Sequence, residues 1–176
     1  MSGSDAVERD ADGGVENSVE VVVEIPKGSR NKYEYDPETG RFLLDRMLFS
    51  SMHYPADYGF VPETLARDGD PVDALVLVGE ATFPGCVIES RPVGVFHMRD
   101  EKGPDEKVLC VPVHDPQWNW IEELEQVPEH LVREITHFFE VYKELEDKET
   151  EVGGWTDRQE AWKVIRDARD RHASGG

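Results

Sequence analysis

The 176-residue chain carries 38 acidic and 19 basic side chains, a formal net charge of -19. That balance argues against a nucleic-acid or anionic-membrane binder, because such partners require a basic face that releases counterions. The length suits one domain with a substantial core. Apolar runs recurring from Val19 to Ile165 exclude disorder for most of the chain.

In chain order, Met1 to Asn17, "MSGSDAVERDADGGVEN", is small, acidic and glycine-bearing, which predicts a disordered leader over residues 1–17 and a single domain over 18–176. "VEVVVEIP" from Val19 is a β-branched run stopped by Pro26, a strand. "KYEYDPETGRFLLDR" reads as two strands joined at the turn "DPETG". Further strands are predicted at Ala74 to Val78, Cys86 to Met98 and Lys107 to Val113. Leu131, Ile135, Phe138, Phe139, Tyr142 and Leu145 then recur at helical intervals, with Pro128 suited to a first turn. A second helix is predicted from about Thr156 to Arg171, with Ala161, Trp162, Ile165 and Ala168 on one side. Many short strands followed by two helices predict an α+β fold with a small β-barrel core.

Cys86 and Cys110 are far apart and each sits among apolar residues, so buried free thiols are expected, compatible with a reducing cytosol. No signal-peptide pattern or apolar run of spanning length is present, and a soluble cytoplasmic product is the expectation. The acid excess also suits a salt-rich cytoplasm, where the Debye length falls to about 3 Å at 1 M salt. Halophilic origin is therefore a further expectation.

The segment "DGDPVD" places Asp68, Asp70 and Asp73 within six residues. In a chain this acidic a solvated turn is the plain reading, and hard-cation binding is the other. A calcium loop fits badly: counted from Asp68, the sixth position is Asp73 rather than glycine and the twelfth is Gly79 rather than glutamate. A second acidic cluster, with Asp100 and Asp105 flanking a Gly-Pro turn and Lys107 beyond, could face the first across a barrel mouth. Lys32 and Glu34 alternate with tyrosines and should share one strand face. Charge pairing is the simpler account of Lys32, Glu34, Arg46 and Lys143, and core packing that of Tyr54, Tyr58 and Tyr142. No HExxH, GxSxG, Walker loop or GxGxxG is present. Acids for a metal, with Lys, Arg and Tyr for an anion, suit metal-assisted phosphoryl transfer.

At this point the chain resembles a known family. "DGDPVD" looks like the signature of the soluble family I inorganic pyrophosphatases. "EIPKGSRNKYEYD", "LDRMLFSSMHYPADYGFVPETL", "RPVGVFHMRDEKGPDEKVLCVP" and "HFFEVYKELE" match in the family's order, covering roughly Val19 to Trp162. The resemblance implies a five-stranded OB-like barrel with flanking helices. It further implies Mg²⁺-dependent hydrolysis of pyrophosphate by a metal-activated water, and because a surface of net charge -19 repels free pyrophosphate, the magnesium complex is the expected arriving species. It assigns metal to Asp68, Asp73, Asp100 and Asp105, with Glu34 and Glu24 at or behind the substrate's metal. Asp70 would accept a proton from, or orient, the attacking water, while Lys32, Arg46, Tyr58, Lys107, Tyr142 and Lys143 would hold phosphate oxygens. A homohexamer is implied as well. Two departures are His53 before Tyr54, where an apolar or aromatic residue is more usual, and Asp57, where an uncharged residue is common. The competing readings are a non-catalytic divalent-cation binder and an OB-fold binding module, the latter disfavoured by the acidic balance.

Overall fold

The computed structural model describes residues 17–175, so the predicted leader lies outside the described residues except for Asn17. Among the described residues are eight strands and two α-helices: β1 (Val19–Ile25), β2 (Asn31–Asp36), β3 (Arg41–Met47), β4 (Asp57–Phe60), β5 (Asp73–Val76), β6 (Val87–Asp100), β7 (Gly103–Pro112), α1 (Glu129–Val141), β8 (Glu151–Thr156) and α2 (Arg158–Ala173). The order β1-β4-β5-β7-β6, with β6 pairing back to β1, closes a five-stranded ring. This is the expected barrel within an α+β fold. The β2–β3 hairpin forms a separate two-stranded sheet, and β8 adds to β6 outside the ring.

β6 has fourteen residues because it serves two neighbours along one edge. Val87 to Ser90 pair with β1, and Val95 to Arg99 pair with β8, while β7 runs along the other edge. Pro92 cannot donate to a ladder, and the register shifts between Pro92 and Gly94, so a bulge absorbs it. The β1–β4 contact is closer still. A Cβ on Gly59 would stand 1.8 Å from the Val22 carbonyl oxygen, so only glycine allows these backbones to meet.

The apolar runs of β5 and β7 are buried on both faces, which is why they read as continuous rather than alternating. Leu75, Leu77, Leu109 and Val111 pack in one cluster with Ile135, Phe138 and Phe139 of α1. Ala74, Val76, Val108 and Cys110 pack in a second cluster with Ala161, Trp162, Ile165 and Ala168 of α2. In α1 the three buried residues recur at i, i+3 and i+4, one stripe of an amphipathic helix. Asp157 caps α2, its carboxylate accepting the Glu160 N–H at 3.0 Å.

Several expectations need correction. The first helix stops at Val141, with Pro128 just outside its start and Tyr142 at its C-cap. The chain then tightens into a 3₁₀ turn, Glu144–Glu146, closed by Asp147 in the left-handed region (φ 56°). Leu145, expected on the apolar stripe, is therefore 65% exposed. Cys110 is buried but Cys86 only partly so, and both are free. β4 and β8 were not anticipated as strands.

Candidate active site

The site is built where the strand ends of the barrel meet the hairpin and the end of α1. β5 and β7 run parallel, and their register sets Asp73 opposite Lys107. Asp105 and Lys107 are two apart on β7 and so share a face. β4 brings Tyr58 beside them. The Lys107 ammonium donates to the Tyr58 hydroxyl at 2.8 Å and to Asp73 Oδ2 and Asp105 Oδ2, each at 3.1 Å. It also lies 5.1 Å from the ring centroids of both Tyr58 and Phe139. Burial alone would depress the Lys107 pKa, but the charges of Asp73 and Asp105 outweigh it and hold the group protonated.

The "DGDPVD" loop approaches this centre from the strand's entry. Gly69 has φ +91°, a left-handed position that turns the loop between its two outer aspartates. The Asp70 N–H donates to Asp68 Oδ1 at 3.0 Å, and the Asp70 carboxylate is exposed, 3.9 Å from Lys102 Nζ. Burial raises the Asp68 pKa, and the charges of Asp105 and Asp70 raise it further. Asp105 is raised as well, by burial and then by Asp73, against the lowering effect of Lys107. The two acidic clusters thus face each other, as the sequence suggested.

The rim carries the remaining candidates. Glu24 of β1 reaches under the hairpin, its Oε2 accepting the Tyr35 N–H at 2.9 Å. Burial, then the charges of Asp73 and Glu34, push its pKa up to about 7. Lys32 stands 3.6 Å from Glu34 and 3.5 Å from Asp45, so Lys32 and Glu34 do share a face. Lys143 pairs with Asp100 across elements at 3.8 Å and lies 5.3 Å from the Tyr142 ring centroid. That is a partly buried contact rather than pairing along a helix surface. Tyr142 is buried in the α1 cluster, with its phenol pKa raised by burial. Arg46 is paired by Glu146 and Asp45.

The predicted residues are therefore linked to one another by contacts and charge, with Lys107, Asp73 and Asp105 at the centre of the network. Among the described residues no three Asp, Glu, His or Cys side chains converge on one ready cation position, since Lys107 occupies the centre. The chemistry of the donors nonetheless fits a hard divalent cation. They are all carboxylate oxygens, and Asp68 and Asp105 have their pKa values raised first by burial and then by neighbouring carboxylates, a repulsion that a cation would relieve.

Two residues escaped sequence reasoning. Glu146 lay in a run of surface-like acids, "KELED", and no local pattern marks it. Asp57 was noted only as unusual, yet its carboxylate is fully buried and accepts from Lys27 N–H at 2.8 Å, Thr82 Oγ1 at 2.6 Å and Thr82 N–H at 3.3 Å. Its position beside Tyr58 was the available signal.

Comparison with known proteins agrees with this geometry. Residues 21–173 match the family model described as inorganic pyrophosphatase. The chain is 62% identical over 152 residues to the inorganic pyrophosphatase of Methanosarcina mazei, covering 86% of this chain and 90% of that protein. It is 57% identical over 143 residues to that of Streptomyces coelicolor, covering 81% and 88%. The crystal structure of inorganic pyrophosphatase from Thermus thermophilus superposes with a TM-score of 0.88 at 45% identity, covering 95% of each chain.

Proposed function

Because this chain belongs to the inorganic pyrophosphatase family, and so hydrolyses pyrophosphate to two orthophosphates, we propose how its own residues divide the work. Asp68, Asp73, Asp100 and Asp105 would hold Mg²⁺, with Glu34 and Glu24 at or behind the metal that would arrive with substrate. Bound Mg²⁺ would supply charge neutralisation of the phosphates and acidification of water. The observation that carries the assignment is the meeting of Asp73, Asp105 and Tyr58 on one buried ammonium, Lys107, beside the Asp68–Asp70 loop.

Lys32, Arg46 and Lys143 present cationic donors to phosphate oxygens, and Tyr58 and Tyr142 present phenol O–H groups. Lys107, whose three N–H groups go to Tyr58, Asp73 and Asp105 here, would turn to phosphate once cations took the two carboxylates. Burial raises both phenol pKa values, so each keeps its proton at neutral pH and stays a donor. Asp70 takes the proton as a water oxygen bonds to one phosphorus and the bridging P–O bond breaks, its electron pair leaving with the second phosphate. Its backbone N–H donates to Asp68 Oδ1 and fixes the loop at that point, leaving the Asp70 carboxylate itself exposed beside Lys102. With cations and donors surrounding them, the oxygens that gain charge are already paired.

The same reading extends to context. One domain from Ser18 onward works in the cytoplasm as a homohexamer on magnesium pyrophosphate, and the -19 charge reflects a salt-rich interior. Exposed Leu43, Leu44, Met47 and Phe49 along and just beyond β3 support self-association, since a partner would take them from water. Among the described residues no helix is long and apolar enough to cross a membrane.

The test is phosphate release from pyrophosphate with Mg²⁺ or with chelator, for the wild type and for Asp73→Asn. Release that needs Mg²⁺ and is lost in D73N is expected. Equal rates in Mg²⁺ and chelator would overturn the metal assignment, and equal rates for both proteins that of Asp73. Light scattering at six times the chain mass is the expected assembly, and a monomer would overturn it.

A further inference from the structure

We propose that Glu146 is a positioning residue for Arg46, aiming its guanidinium at substrate; this rests on the reading of Arg46 as a phosphate-binding group.

The hairpin that carries Arg46 forms its own two-stranded sheet and shares no ladder with the barrel. Backbone pairing alone therefore does not fix where its charged side chains stand relative to Lys107 and Asp73. Side-chain ties must do so, and the Arg46–Glu146 pair is one, linking positions 100 residues apart. Glu146 accepts from Arg46 Nε through Oε1 and from Nη2 through Oε2, the latter at 3.2 Å. This is the two-point arrangement that fixes a guanidinium in its own plane.

The donors left over matter most. A guanidinium has five N–H groups. Glu146 takes one on Nε and one on Nη2, and Asp45 takes one on Nη1. One N–H on each of Nη1 and Nη2 remains to donate to phosphate oxygens. Burial would lower the Arg46 pKa, but Glu146 and Asp45 outweigh it, so the cation is retained.

Glu146 is itself held. The 3₁₀ turn follows directly on Tyr142 and Lys143, and the Glu146 N–H donates to the Lys143 carbonyl at 3.0 Å. Its neighbour Leu145 points outward, while the Glu146 side chain is 5% exposed. An acid turned inward, in a chain with so many at the surface, has a job that solvation does not explain.

Steady-state kinetics on magnesium pyrophosphate for wild type, E146A, E146Q, R46A and R46A/E146A, with far-UV circular dichroism and melting curves, test this. KM should rise about tenfold or more in E146A, the scale of one charge-assisted hydrogen bond, and less in E146Q. The split between KM and kcat should follow that of R46A, and the double variant should be no worse than R46A. A merely structural role would lower Tm and kcat with the folded fraction and leave KM unchanged.

Wild-type KM in folded E146A, or losses that multiply in the double variant, overturn the proposal. So does a higher kcat/KM in E146A, which would mean the carboxylate competes with phosphate. R46A with wild-type kcat/KM overturns the reading of Arg46 and the proposal together, whereas an impaired R46A beside an unimpaired E146A overturns the role of Glu146 alone. If E146A does not fold, E146Q keeps the shape and carries the comparison.

Discussion

Lys107 Nζ lies 3.1 Å from Asp105 Oδ2, two positions back on the same strand, and its side chain is only 2% exposed. Strand alternation puts the two on one face, and the parallel neighbour β5 adds Asp73 at the same distance. The ammonium thus offsets two carboxylates that would otherwise repel each other away from water.

Replacing Lys107 by Met should therefore cost about 3–5 kcal/mol of stability in chelator, the scale for breaking a buried pair by removing one partner. Mg²⁺ should return part of that loss, since a cation can neutralise the same carboxylates. Denaturant titrations with and without Mg²⁺ measure both effects. A K107M protein as stable as wild type in chelator would show that the pair contributes nothing.

Asp57→Ala removes an acceptor from three donors in a fully buried place. Stability should fall by about 2–4 kcal/mol, given about 1.5–3 kcal/mol for hydrogen bonds to charged groups and the cost of stranded donors. Thermal and urea unfolding of D57A and wild type compare the two. A change under about 0.5 kcal/mol, typical of a surface site, would contradict it.

The thiols should differ in reactivity. Burial pushes the Cys110 pKa well up, so its reactive thiolate is suppressed in the folded protein, while Cys86 is partly open to solvent. A folded-state pKa above the unfolded one means that the contribution is present at neutral pH and lost as pH rises past the free-thiol range. At pH 8 to 9 an alkylating reagent should modify one thiol per native chain, and both after denaturation. Two equally fast thiols in the native protein would be the contrary result.

These residues also show what the chain disclosed unaided. The β-branched and apolar runs of β1, β5, β6 and β7 and the α1 stripe were legible because they bury continuous or periodic faces. β8, "EVGGWT", was not, since two glycines weaken any strand signal, and Gly153 is wanted for close approach to His97. Ring closure through β1–β6 and the parallel β5–β7 pair depend on partners far away in sequence. The candidate site residues followed from the resemblance, since charge pairing and core packing were the simpler local readings of most of them. Glu146 was hidden because an acid among many carries no local mark of burial, whereas Asp57 stood out only as a departure beside Tyr58.

Net charge of -19 should slow the approach of an anionic substrate, and added salt screens that repulsion. The value of kcat/KM should rise with KCl until unfolding or full screening limits it, and melting temperature should rise over the same range. Rates that fall or stay level from low to molar KCl, with the fold intact, would remove electrostatic repulsion from the account.

The central claim is that the acid-lined barrel mouth performs Mg²⁺-dependent hydrolysis with Asp70 receiving the proton. Phosphate release from pyrophosphate by the wild type and Asp70→Asn, each with Mg²⁺ or chelator, tests it most directly. The account predicts release by the wild type only with Mg²⁺, and a loss of about 100-fold or more in folded D70N, the scale of general base catalysis. Release by the wild type without Mg²⁺, or a D70N rate equal to wild type, would contradict it.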